Sequence, residues 1–172
     1  MNLPNKLTMA RVFLVPVYIA FYLTGLRIPA LIVFAAASLT DLLDGRIARS
    51  RNLITNFGKI MDPLADKILV YSAFCLFIGD GTMPAWMLIV ILAREFAVAG
   101  MRTVAAAEGI VVAAGITGKI KTVLQMFAIL FLILNYPGTI ATVGKILLWA
   151  SLVMTVVSGA EYIIRNKQVF ST

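Results

Sequence analysis

The sequence contains no histidine and a single cysteine, Cys75, which lies within an apolar stretch. One cysteine excludes an intrachain disulfide framework and a thiolate metal cluster. The lack of histidine also argues against a zinc site, because zinc is bound mainly by cysteine and histidine. Any general base must therefore be a carboxylate, a lysine or a tyrosine.

Charged residues are also scarce. Asp, Glu, Lys and Arg make up 13% of the 172 residues, whereas 61% are hydrophobic, and the mean hydropathy is +0.97. Soluble domains are far more polar, and the apolar blocks are long enough to cross a bilayer, which takes about 20 residues per helix. No polar or Pro/Gly-rich linker interrupts the chain. The composition predicts one all-α integral membrane domain over residues 1–172.

Six transmembrane helices are predicted from the apolar blocks and the turn residues between them. A short N-terminal interfacial segment, residues 1–8, precedes the first helix, because Pro4 is expected to break it. The first helix ends near residue 23, and the others cover about residues 29–50, 59–78, 84–107, 119–134 and 140–164. With six spans, both termini lie on the same side of the membrane.

The net charge of +7 comes from basic residues scattered between the apolar blocks. Such scattering disfavours nucleic acid as a partner and favours anionic lipid head groups and phosphorylated substrates. One side of the predicted topology carries only Arg27 and Lys145. The opposite side carries Lys6, Arg11, Arg46, Arg49, Arg51, Lys59, Arg102, Lys119, Lys121, Arg165 and Lys167. The positive-inside rule predicts that this second side, with both termini, faces the cytoplasm.

Half of the eight acidic residues fall in one segment, as Asp41, Asp44, Asp62 and Asp66. Spacings of three and four residues place each pair on one helix face. An aspartate at the bilayer centre costs about 2.5–3.5 kcal/mol, so these residues must lie near the interface, be paired or bind a metal. All-oxygen ligation favours Mg²⁺ or Mn²⁺. The pattern predicts a polar, metal-binding cavity at the cytoplasmic side.

Small residues are interleaved with these acids, at Gly45, Ala48 and Gly58. Beside the aspartates they would leave room for a bulky ligand against the backbone. The alternative is that they form ordinary small-residue contacts between helices.

The order Asp-x2-Asp-Gly-x2-Ala-Arg-x8-Gly-x3-Asp-x3-Asp runs from Asp41 to Asp66 without departure. It resembles the signature of the CDP-alcohol phosphatidyltransferase family, and eight fixed residues at fixed spacing make the match specific. Residues 2–11, NLPNKLTMAR, and the pattern Lys119-Ile120-Lys121-Thr122-x2-Gln125 resemble the bacterial phosphatidylglycerophosphate synthases within that family.

The resemblance implies an enzyme that moves a phosphatidyl group from CDP-diacylglycerol to glycerol 3-phosphate and releases CMP. It implies two divalent cations, Mg²⁺ or Mn²⁺, bound by Asp41, Asp44, Asp62 and Asp66. Asp66 matches the family's general base, with a purely metal-binding role as the alternative. The CDP-lipid pocket implied by the resemblance comprises Asn5, Thr8, Gly45, Ala48, Arg49 and Gly58. A homodimer is expected, because the family generally forms one.

Basic residues outside the motif predict a pocket for the phosphate of the acceptor. Arg94 and Glu95 are neighbours, and adjacent helical residues point about 100° apart. A direct pair is therefore awkward, and Arg94 is predicted to face a cavity. The predicted pocket comprises Lys59, Arg94, Arg102, Lys119 and Lys121. The alternative is that they are only positive-inside flanks.

Other functions stay open at this point. The acceptor alcohol would instead be serine or inositol phosphate, although the basic pocket argues against serine. A divalent-cation or proton transporter would also use intramembrane aspartates, but transporters place such sites near the bilayer midplane, whereas these acids gather at one face. A purely structural membrane subunit would leave the spacing unexplained.

Overall fold

The computed structural model describes the backbone of residues 3–50, 56–107, 109, 115–136 and 138–166. Side chains are described for residues 5–40, 58, 60–107, 109, 115–136 and 138–166. Six α-helices and no strands are present in these ranges. The helices are α1 (Leu3–Leu23), α2 (Arg27–Ser50), α3 (Asn56–Gly79), α4 (Ala85–Ala107), α5 (Ile116–Leu134) and α6 (Thr139–Arg165). The predicted all-α class is confirmed.

Predicted boundaries differ from the structure at the N-terminal ends of three helices, and one of these, α5, begins at Ile116, three residues before the predicted start. Pro4 does not separate a lead-in segment, because α1 is continuous from Leu3; a proline in the first turn costs no helical hydrogen bond. The third helix begins at Asn56, not near residue 59. Asp62 and Asp66 therefore lie in its second and third turns, deeper in the helix than predicted.

Three of the described helices are long and apolar enough to cross a membrane: Asn5–Leu23, Ile116–Leu134 and Thr139–Arg165. These correspond to α1, α5 and α6. A shorter apolar stretch, Arg27–Thr40, forms the first part of α2. The protein is therefore a membrane protein, and the spanning of α2, α3 and α4 stays a prediction, because these helices carry the charged residues of the predicted site.

The chain divides into two compact units, and the first comprises Met1–Thr82 and Ile129–Ala141. In this unit α1 packs against α2 and α3. Buried aromatic rings connect the helices: Tyr18 lies 5.4 Å from Phe34, and Tyr22 lies 5.9 Å from Phe77, between ring centroids. Gly25, with φ of 77°, forms the tight turn between α1 and α2, a backbone conformation that glycine adopts without steric cost.

The second unit comprises Met83–Ala128 and Thr142–Thr172. Val98 and Met101 of α4 pack with Tyr162 of α6 in a buried cluster. At another level of the same two helices, the rings of Trp86 and Trp149 lie 5.8 Å apart. Aromatic pairs at this separation add stability beyond the area that they bury, so α4 and α6 are joined at two levels.

Candidate active site

The motif segment lies on two consecutive helices. Residues 41–49 are helical throughout in α2, so Asp41 and Asp44 are spaced three residues apart on one helix. Their side chains, and those of Arg46, Ala48, Arg49 and Lys59, lie outside the described residues, as does the local packing of Gly45. The predicted arrangement of four carboxylates therefore stays a prediction. Among the side chains that the structure does describe, no three His, Cys, Asp or Glu residues form a metal-binding group.

The other two aspartates are described, and both are partly buried on α3. Asp62 and Asp66 lie four residues apart in a continuous helix, which places them on one face. The hydroxyl of Thr8, on α1, donates a hydrogen bond of 2.5 Å to Asp62 Oδ1. The structure thus brings together a residue of the predicted CDP-lipid pocket and a residue of the predicted metal site.

Two further residues of the predicted CDP-lipid pocket are buried. Asn5 lies one turn before Thr8 on α1 and is 7% exposed, and Gly58 is buried in the first turn of α3. A buried polar side chain such as that of Asn5 requires hydrogen-bond partners, so its burial is consistent with a polar site at this end of α1.

Arg11 is predicted to be a flanking positive charge and belongs to the N-terminal segment that resembles the synthases, and the structure gives it a buried position. Its side chain is fully buried, and Nε donates a hydrogen bond of 3.2 Å to the carbonyl oxygen of Ala37 on α2. Ala37 lies one turn before Asp41 along α2. Arg11 therefore connects α1 to the motif helix. The available signal was an arginine inside an apolar run, since such charges are functional by default.

Arg94 and Lys121, predicted for the acceptor pocket, meet at one carboxylate in the second unit. Arg94 Nη1 lies 3.1 Å from Glu95 Oε1, and Lys121 Nζ donates to the same oxygen. The prediction that Arg94 does not pair with Glu95 is therefore wrong. The angle of about 100° separates only the directions of the Cβ atoms, and the long arginine side chain bends far enough to reach its neighbour.

The remaining residues predicted for that pocket have other positions. Arg102 is exposed, donates from Nε to the Tyr162 hydroxyl at 3.2 Å and lies over its ring at 5.4 Å from the centroid. Lys119 is exposed at the start of α5. Of the predicted set, the described contacts bring together Arg94 and Lys121.

Glu161, which had no predicted role, joins the ends of two helices. Its carboxylate accepts a hydrogen bond of 2.6 Å from Thr117 of α5 and pairs with Arg165 one turn later at 2.6 Å. The Arg165 side chain is 71% exposed, and exposed pairs of this kind contribute little to stability. The Thr117 hydrogen bond therefore carries the structural role of Glu161.

A further acidic residue, Asp80, lies near the end of α1 that is opposite to Thr8. Asp80, in the turn after α3, accepts a hydrogen bond from Tyr22 and lies 3.9 Å from Arg27. Burial alone raises the pKa of Asp80, but hydrogen bonds from Thr82 and Tyr22 and the charge of Arg27 outweigh it, so the pKa is lowered below 3.8. Asp80 therefore stays ionised and connects α1, α2 and the end of α3.

Comparisons with known proteins agree with the motif. The family model described as CDP-alcohol phosphatidyltransferase matches residues 1–157. A protein of Bacillus subtilis strain 168 named CDP-diacylglycerol–glycerol-3-phosphate 3-phosphatidyltransferase is 42% identical, over 99% of this chain and 98% of its own length. Proteins with the same name are 40% identical in Rickettsia felis, over 98% of this chain and 97% of their own length, and 34% identical in Haemophilus influenzae, over 94% and 91%. The resemblance indicated by the Asp41–Asp66 motif is confirmed: the chain belongs to the CDP-alcohol phosphatidyltransferase family and is a transferase.

Proposed function

We propose that this protein transfers the phosphatidyl group from CDP-diacylglycerol to sn-glycerol 3-phosphate, giving phosphatidylglycerophosphate and CMP in phospholipid biosynthesis. The observation that carries the proposal is the uninterrupted aspartate motif on α2 and α3 in a chain with relatives of that name at about 40% identity over nearly its whole length. The hydrogen bond between Thr8 and Asp62 supports it, because it joins the two predicted parts of one site.

The acidic residues suit a divalent cation. Asp62 and Asp66 present carboxylate oxygens one turn apart on α3, and carboxylates without histidine or thiolate suit Mg²⁺ or Mn²⁺. We assign two such ions to Asp41, Asp44, Asp62 and Asp66. Bound there, the ions would polarise the transferred phosphoryl group and neutralise charge on the leaving CMP.

The protein's own residues then supply the proton transfer and the orientation of the substrates. The acceptor hydroxyl oxygen attacks the phosphorus attached to diacylglycerol, and the bond from that phosphorus to the CMP oxygen breaks. Asp66 takes the hydroxyl proton as general base. Thr8 holds the Asp62 carboxylate in one orientation, so that Asp62 does not have to be ordered during the reaction.

The CDP-diacylglycerol pocket is assigned to residues of α1, α2 and the start of α3. They are Asn5, Thr8, Gly45, Ala48, Arg49 and Gly58. The burial of Asn5 and Thr8 supports this assignment, because a polar site enclosed by apolar helices can hold a nucleotide away from bulk water while its lipid chains stay in the membrane.

The acceptor phosphate is assigned to the basic residues that the sequence singled out. Arg94 and Lys121 carry the assignment, because both pair with Glu95 and their side chains are only 15% and 6% exposed, so two cationic groups lie together in the second unit. Arginine and lysine are the usual donors to phosphate oxygens. Lys59, Arg102 and Lys119 complete the proposed set.

The proposed setting is the cell membrane, with the protein as a multi-pass homodimer and its active site and both termini toward the cytoplasm. The asymmetric distribution of lysine and arginine supports this orientation. We also propose that residues 1–172 form a single functional domain. Glycerol 3-phosphate and the CDP group of CDP-diacylglycerol are both water-soluble. A cytoplasmic site would allow them to meet while the acyl chains of the lipid remain in the bilayer.

One assay tests the reaction, the acceptor and the metal together. The purified protein in detergent is given CDP-diacylglycerol, with Mg²⁺ or Mn²⁺, and each of glycerol 3-phosphate, serine and inositol phosphate, and CMP release is measured. Release with glycerol 3-phosphate alone, lost with EDTA and restored by either ion, is the expected result. Release only with another alcohol would contradict the acceptor assignment, and metal-independent release would contradict the metal assignment. If no alcohol led to CMP release, the proposed phosphatidyl transfer would be contradicted.

A further inference from the structure

A glycine of α6 lies directly against the stem of Arg94. A Cβ atom placed on Gly159 would lie 2.9 Å from Arg94 Cγ, 3.9 Å from its Cβ and 4.0 Å from its Nε. Carbon atoms in proteins do not approach to 2.9 Å, because repulsion rises steeply inside about 3.5 Å. Cγ is only two bonds from the backbone, so it cannot swing away as the end of a long side chain would. Any other residue at position 159 must displace Arg94.

A second glycine borders the other end of the same side chain. A Cβ atom on Gly118 of α5 would lie 3.4 Å from Arg94 Nη2, close to an ordinary contact with a flexible atom. The Arg94 stem therefore has little freedom beside α6, whereas its guanidinium has some freedom beside α5. The stem contact with Gly159 determines the direction in which the side chain leaves α4.

That direction decides where the guanidinium lies. The side chain is 15% exposed, and Nη1 reaches Glu95 Oε1 at 3.1 Å. Lys121 donates to the same oxygen, so both cations are held at one carboxylate. Arg94 Nε is buried and has no hydrogen-bond partner among the residues that the structure describes. The guanidinium thus keeps donor capacity that the described contacts do not use.

We infer that Gly159 is a positioning residue for acceptor binding: the missing side chain on α6 lets the Arg94 stem pass and so holds its guanidinium beside Lys121. This inference rests on the proposed function, in which Arg94 and Lys121 bind the acceptor phosphate. Arginine binds phosphate through a rigid planar fork, and a displacement of about 1 Å in a positioned group costs up to about a hundredfold in rate. A methyl group at position 159 would act through Arg94 without touching the substrate.

The kinetic test compares Gly159→Ala with Gly100→Ala. Gly100 lies in α4, and a Cβ atom placed on it would meet nothing within 4 Å. We expect G159A to raise the KM for glycerol 3-phosphate about tenfold, with the KM for CDP-diacylglycerol unchanged, and we expect G100A to match the wild type in both. An unchanged KM for glycerol 3-phosphate in G159A would overturn the inference, and so would an equal rise in both KM values.

A stability cycle reports on the same contact without any substrate. Thermal unfolding in detergent is measured for G159A in three backgrounds: wild type, Arg94→Ala and Arg94→Lys. We expect G159A to lower the unfolding temperature by several degrees in the wild-type background. Alanine has no Cγ, so this loss should disappear in the R94A background, whereas lysine keeps Cγ, so the loss should remain in the R94K background. An equal loss in the R94A background would overturn the inference.

The two measurements also separate this inference from the proposed function. If the wild type released no CMP with glycerol 3-phosphate, the proposed function would fail, while the unfolding cycle would still show whether Gly159 makes room for Arg94. If the wild type were active and the cycle showed no coupling, the positioning role would fail and the proposed function would stand.

Discussion

The Thr8 hydroxyl on α1 donates a hydrogen bond of 2.5 Å to Asp62 on α3, across 54 positions of the sequence. Thr8 is fully buried, so this bond forms away from bulk water. A hydrogen bond to a charged group contributes about 1.5–3 kcal/mol. The first helix is therefore hydrogen-bonded directly to the aspartate motif.

Replacing Thr8 by valine tests that relationship. Valine keeps the shape of threonine but has no hydroxyl, so the Asp62 carboxylate would lose its orienting donor. We expect kcat/KM to fall about ten- to a hundredfold, which corresponds to the loss of a charged hydrogen bond. Steady-state CMP release measures this. Thr8→Ser keeps the hydroxyl and serves as the control, and T8V with wild-type kcat/KM would show that the bond has no role in turnover.

Replacing Asp66 by asparagine tests the general base. Asparagine keeps the size of aspartate but cannot take the proton from the hydroxyl group of the acceptor alcohol. We therefore expect kcat to fall about a hundredfold or more. Binding of CDP-diacylglycerol, measured by equilibrium dialysis with a radiolabelled nucleotide, should be largely kept. Lost binding together with substantial residual turnover would contradict the base assignment and indicate that Asp66 is a metal ligand only.

Replacing Arg11 by methionine tests its structural role. Methionine keeps an unbranched apolar stem but removes the buried donor to Ala37 on α2. Hydrogen bonds made by charged groups contribute about 1.5–3 kcal/mol, so we expect R11M to lower the free energy of unfolding by that amount. Chemical denaturation in detergent, followed by circular dichroism, measures it.

Arg165→Met is the matched control for that experiment, because the Arg165 side chain is 71% exposed. We expect it to change the free energy of unfolding by less than about 0.5 kcal/mol. Equal losses in the two variants would show that burial of Arg11 contributes nothing specific.

Asp80 predicts a pH dependence whose sign follows from its lowered pKa. A carboxyl with a folded-state pKa below its ordinary value stabilises the fold at a pH above that value and loses this contribution as the pH falls through the folded-state pKa. Since the pKa of Asp80 is lowered below 3.8, the wild type should lose this contribution below about pH 4. The Asp80→Asn variant should lack this stabilising contribution at every pH. The difference between the unfolding midpoints of the two proteins should therefore be constant well above pH 4 and narrow as the pH falls below about 4, and a difference that stays constant on acidification would contradict the assignment.

Much of the fold and the chemistry was predictable from local sequence patterns. The apolar blocks and turn residues predicted six helices, because helix formation depends mainly on nearby residues and on turn chemistry. The fixed spacing from Asp41 to Asp66 identified the family, because the motif residues lie on two consecutive helices and their spacing is therefore visible in the sequence. The break predicted at Pro4 does not occur, because a proline's effect depends on its position in the helix and Pro4 lies in the first turn.

Contacts between side chains that are far apart in the sequence were not predictable from local patterns. The hydrogen bonds from Arg11 to Ala37 and from Thr8 to Asp62 join residues 26 and 54 positions apart, and no local periodicity encodes such separations. The bend of Arg94 toward Glu95 and its contact with Gly159 depend likewise on how α5 and α6 pack on α4. The chemical groups and the helices that carry them follow from local order along the chain and were therefore predictable. Which groups touch depends on the packing of whole helices, where a single missing Cβ atom determines the path of an arginine.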